Sequence, residues 1–140
     1  MTLRPHVRRT LRTLLLATAA LALPGCGDDD DPAGPDGTLA PCTGDVTVSV
    51  SAGTTPTFTW TPACTVRALL VEEDASDRWF ILATGTAGIA PGVVYGTVPA
   101  GASQDEPALP LTAGVAHDVV LFRVLTTSTG TIAGMREFTP

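Results

Sequence analysis

Between residues 43 and 140, hydrophobic and polar positions alternate in short blocks. Val46, Val48 and Val50 are separated by Thr47 and Ser49, and Phe58 and Trp60 are set among Thr57, Thr59 and Thr61. A period of two is the mark of a half-buried strand. Between these blocks, residues 51–55 (SAGTT) have the composition of a turn. Further apolar runs follow at 66–71, 79–83, 93–98, 115–125 and 131–138, each bounded by Gly, Pro, Asp or Ser. No window sustains the 3.6-residue period of an amphipathic helix. Seven short strands spaced about 10 residues apart predict an all-β, antiparallel β-sandwich.

The first 25 residues follow a different pattern. Arg4, Arg8, Arg9 and Arg12 precede an uncharged apolar stretch at 14–23 (LLLATAALAL). That stretch is short of the roughly 20 apolar residues needed to cross a bilayer as a helix. A cationic start, a short apolar run and small residues at its end predict a secretory signal over 1–25. Leu23-Pro24-Gly25-Cys26 resembles the lipobox of bacterial lipoproteins, with Pro24 in place of the usual small residue. The resemblance implies that Cys26 is acylated and becomes the mature N-terminus, tied to the membrane through lipid. Two or more acyl chains make such an anchor firm.

After Cys26 come four aspartates and a run rich in Gly and Pro, so residues 26–41 read as a disordered acidic tether. Like charges extend such a segment, and next to an anionic membrane they push it off the surface. The run also resembles the export address of some surface-exposed lipoproteins. Spacer and address both remain open, and the expected location is the cell envelope, at the outer membrane or cell surface. Four of the eight basic residues and none of the fourteen acidic ones lie in 1–25, leaving four against fourteen, a charge of −10. That balance excludes nucleic acid as a partner and electrostatic membrane binding as a function.

Residues 42–140 remain to fold as one small domain. Suppose strands one and two pair so that Val46 faces Trp60, Val48 faces Phe58 and Val50 faces Pro56. All their apolar side chains then share a face, which a one-residue slip would undo. The same register sets Cys42 opposite Cys64, and in an exported chain this predicts a disulfide. The stretches TFTWTPA (57–63) and LPLTAGVAHDVVLFRV (109–124) resemble the fibronectin type III family at Trp60, Pro62, Leu111, Gly114, Val119 and Leu121. An immunoglobulin-like sandwich of another lineage is the alternative. His117 stands where that family has a corner tyrosine. The resemblance implies a structural role for it, with the ring bonded to a carbonyl in 109–113.

Catalytic chemistry is not expected. Beyond the signal, His117 is the only histidine, and no nucleophile-and-base pair, zinc motif or phosphate loop occurs. His117 and Met135 fall short of a copper set, and the acidic stretch 72–77 (EEDASD) lacks calcium-loop spacing. No catalytic residue, metal or cofactor is therefore assigned. Two functions remain: a tethered binding or adhesion module for a protein or glycan, and a structural or accessory envelope lipoprotein with no small-molecule ligand. For the first, the candidate loops are 72–78, 85–92 and 99–107. With Trp60 inward, the candidate exposed aromatics are Trp79 and Tyr95.

Overall fold

A computed structural model describes residues 38–126 and 129–140. The signal, Cys26 and residues 27–37 of the tether lie outside the described residues. Among the described residues all regular structure is β, in eight strands: β1 (Thr47–Val50), β2 (Thr57–Thr61), β3 (Ala68–Glu73), β4 (Ser76–Ala83), β5 (Val93–Val94), β6 (Ala102–Glu106), β7 (His117–Leu125) and β8 (Gly130–Phe138). They form two antiparallel sheets, ordered β1-β2-β5 and β6-β4-β3-β7-β8. One strand more than expected appears because residues 102–106, read as part of a loop, pair with β4. Their sequence, ASQDE, carries no hydrophobic alternation, so pairing at a sheet edge rather than burial makes them a strand.

The two sheets pack face to face in a sandwich-like arrangement. Val48, Phe58, Trp60 and Val93 from one meet Leu69, Val71, Trp79, Ile81, Val119 and Leu121 from the other. Phe58 lies edge-on to Phe138 at 5.7 Å, and Trp79 edge-on to Tyr95 at 5.3 Å. Such aromatic pairs contribute beyond the area that they bury. Trp79 and Tyr95 are thus core residues, which corrects their reading as exposed candidates. The misreading has a physical cause. Trp79 stands in β4, which is apolar on both faces, and Tyr95 ends the apolar triplet 93–95, so alternation does not say which way either ring points.

The first hairpin keeps its parity but shifts by two residues. Val48 pairs with Trp60 and Val50 with Phe58, so the apolar residues still share one face. The expected opposition of Cys42 and Cys64 in that ladder fails, yet the disulfide forms, with Cα atoms 5.0 Å apart. Beyond β2 the chain bends back, and Pro41 and Thr65 make a parallel bridge. Cys42 N donates to Thr65 O at 2.9 Å, and Thr65 N to Ala40 O at 2.8 Å. Ala40 and Pro41, counted with the tether in the sequence, are therefore bound to the domain. A glycine permits a close approach between the sheets. A Cβ on Gly134 would lie 2.6 Å from Val46 O, so only glycine lets β1 sit against β8 there.

Candidate functional site

The β3–β4 connection is a two-residue turn at Asp74 and Ala75, both with positive φ. The acidic stretch at 72–77 is therefore mostly strand, because Glu72 and Glu73 end β3 and Asp77 lies in β4. Successive strand residues point to opposite faces, and the two glutamates have different surroundings.

Glu73 points inward. One of its carboxylate oxygens accepts from Arg78, and the other lies 2.8 Å from Nε2 of His117. His117 is fully buried, its ring stacked 5.6 Å from Phe138, with Nδ1 donating to Val115 O at 2.9 Å. This corrects the expected target within 109–113. The acceptor lies only two residues back, because the imidazole is too short to span the corner. That longer reach belongs to Tyr95, whose hydroxyl donates to Leu109 O at 2.6 Å. Burial first, with Glu73 adding to it and Arg78 opposing, pushes the Tyr95 phenol up to about 12. Glu73, Arg78, His117 and Tyr95 thus tie the β3–β4 hairpin to the chain on either side of it. No group of three or more metal-ligating side chains converges among the described residues.

The candidate loops are largely exposed, but each is partly held in the fold. Residues 72–78 close in the tight turn. Ile89 in 85–92 is buried and bridges Val66, and much of 99–107 is β6. Two shallow grooves near the disulfide are lined largely by small residues, among them Ala40, Gly44 and Ala63 in one and Ala87, Gly88 and Ala90 in the other.

The outer face of the five-stranded sheet is different. Directly opposed residues of neighbouring strands share a face, so the register lays out three rows across β4, β3, β7 and β8. One row is Leu82, Ala68, Phe122 and Ile132. The next is Phe80, Leu70, Val120 and Met135. The third is Asp77, Glu72, Asp118 and Glu137. Two rows are wholly apolar and the third wholly acidic. Ala68 and Val120 are buried although they lie outside the core between the sheets, so their own row neighbours shield them. At the β8 side the face opens, with Ile132 47% and Met135 61% exposed. Sequence reasoning missed this surface. Its signal is the unbroken run of apolar residues in β3, β4 and β7, which a strand solvated on one face does not need.

No cation answers the acidic row. Among the described residues, Arg78 pairs with Glu73 and Arg123 with Asp45, while the His117 ring lies against Glu73 and Arg67 donates to the carbonyl of Gly85. Partial burial, then the charges of Asp77 and Asp118, raises the pKa of Glu72 above its ordinary 4.5. A raised carboxyl pKa means that the folded state holds the proton more tightly than the unfolded chain. Its contribution to stability is therefore full below the unfolded value and is lost as pH rises through the folded one. At pH 7 Glu72→Gln should accordingly be more stable than wild type by a few tenths of a kcal/mol, the scale of one cross-strand like-charge contact. The difference should vanish on acidification below 4.5. Thermal melts of both proteins over that range test it, and a less stable Gln variant at pH 7 would contradict it.

Family models, curated proteins and solved structures were compared with the chain, and none matches it.

Proposed function

We propose that the protein is an exported, lipid-anchored binding module of the cell envelope. The observation that carries the binding role is the outer sheet face, whose two apolar rows reach the surface in part and open at Ile132 and Met135. Contiguous exposed apolar surface of this kind marks interaction sites. The anchoring role rests on the order of cationic start, apolar run, Leu23-Pro24-Gly25-Cys26 and acidic tether. The Cys42–Cys64 bridge supports an oxidising compartment. In the finer reading, the domain is a fibronectin type III-like sandwich. It is supported by the inward Trp60 on the second strand and the buried Leu111 ahead of β7.

Cys26→Ala should move the protein from the membrane fraction to the soluble fraction. Mass spectrometry of the wild type should show residues 1–25 removed and lipid on Cys26. A Cys26→Ala protein that stays fully membrane-bound would overturn the anchoring. For the binding role, the anchored protein is cross-linked in intact envelopes, and failure to join any partner would count against it.

A further inference from the structure

We infer that the outer face of the five-stranded sheet docks a cationic amphipathic helical segment of a partner protein, apolar side chains on its two apolar rows and lysine or arginine on its acidic row. The inference rests on the binding-module reading and gives the partner its chemistry.

Dimensions and charge carry it. Neighbouring strands lie about 4.8 Å apart, so a row across four strands spans about 14 Å. Residues two apart along a strand are separated by about 6.7 Å, which sets the spacing of the rows. An α-helix is about 10 Å across. Laid along the rows, a helix covers both apolar rows at once and brings one flank over the carboxylates. About ten residues, at 1.5 Å each, cross the four strands. Anchors at i, i+3, i+4 and i+7 supply the apolar stripe.

Charge complementarity then selects the partner. Asp77, Glu72, Asp118 and Glu137 form a line of like charge across four strands, and none of them is in an ion pair with a cation of the domain. An apolar helix with an acidic flank would add to that repulsion, and one with a basic flank relieves it. A second copy of this domain is the weaker fit, because its own outer face brings only carboxylates. An anionic membrane surface is repelled by the same row.

The full chain, purified as exported, is titrated by fluorescence anisotropy with labelled helix-forming probes of about ten residues. One combines leucine with lysine, one leucine with glutamate, and one serine with lysine. The leucine–lysine probe should bind saturably at one per chain, and the other two at least about tenfold more weakly. Neutralising the row with Glu72→Gln and Asp118→Asn should weaken that binding by about tenfold, and so should Ile132→Ser with Met135→Ser. The last two positions are among the most exposed of the apolar residues, so loss of folding does not confuse the result. Equal binding of the serine–lysine probe would reduce the site to charge alone and overturn the inference. So would unchanged binding in either variant pair. Self-association lost in Met135→Ser would assign the face to a second copy instead. If cross-linking in the envelope captures a partner equally with wild type and variants, this inference fails while the binding-module reading stands.

Discussion

Removing the Cys42–Cys64 bridge should lower the unfolding free energy by about 3 kcal/mol. The bridge closes a loop with a sequence separation of 22 residues, and the chain-entropy estimate for a loop of that size gives this figure. It is a large share of the roughly 5–15 kcal/mol that holds a domain together. The structure also shows what the bridge secures locally. Thr65 is bound through its backbone to both Cys42 and Ala40, and Trp60 Nε1 donates to Cys64 O at 2.8 Å. Losing the bridge therefore loosens the entry of the chain and one wall of the core together. Urea melts of wild type, with and without reductant, and of Cys42→Ser/Cys64→Ser should agree on the lowered midpoint. A free-thiol assay of the denatured, unreduced protein should find neither cysteine free. Thiols titrating at both positions would show that the exported protein does without the bridge.

The second large effect is expected at Glu73, where replacement by alanine should cost about 2 kcal/mol, since it takes the carboxylate acceptor from Arg78 and opens a gap beside the buried His117 ring. The His117 side chain is fully buried, and Nε2 then loses the carboxylate that lies 2.8 Å from it. Glu73→Gln retains an oxygen for either Arg78 or His117 and should cost about 1 kcal/mol, the worth of a typical hydrogen bond. The same packing changes the expectation for His117 itself. By the family resemblance a tyrosine should be tolerated there. The imidazole, however, is enclosed between Phe138 and Glu73, so His117→Tyr should overpack the site at a cost of about 1–3 kcal/mol. Equilibrium urea unfolding of the three variants tests the set. A fully stable Glu73→Ala protein would show that the contact between Glu73 and His117 contributes nothing.

Much of this was legible before any coordinates. Period-two alternation placed β1 and β2 and their buried faces, because side chains of a regular strand alternate between its two sides. The shift of the first hairpin by two residues left those faces unchanged for the same reason. The parity of a pairing is written in the sequence, but its offset depends on turn length and on what the flanking chain meets. Here that chain meets Thr65 in a parallel bridge, which no local pattern announces. The cysteines were paired correctly through a register that the structure does not adopt.

What the sequence by itself determined is the all-β class, the positions of most strands and the pairing of the cysteines. These follow from local periodicity and composition. Only the tertiary structure decided that Trp79 and Tyr95 are core residues, that Tyr95 rather than His117 reaches Leu109, and that Glu73 and Glu72 have opposite surroundings. It alone decided that residues from four strands make two apolar rows and one acidic row. The physical reason is common to all of these. Where a strand is apolar on both faces, or two like residues adjoin, sequence order carries no sign of inside and outside. That sign comes from which sheet lies across the core and which strands stand alongside.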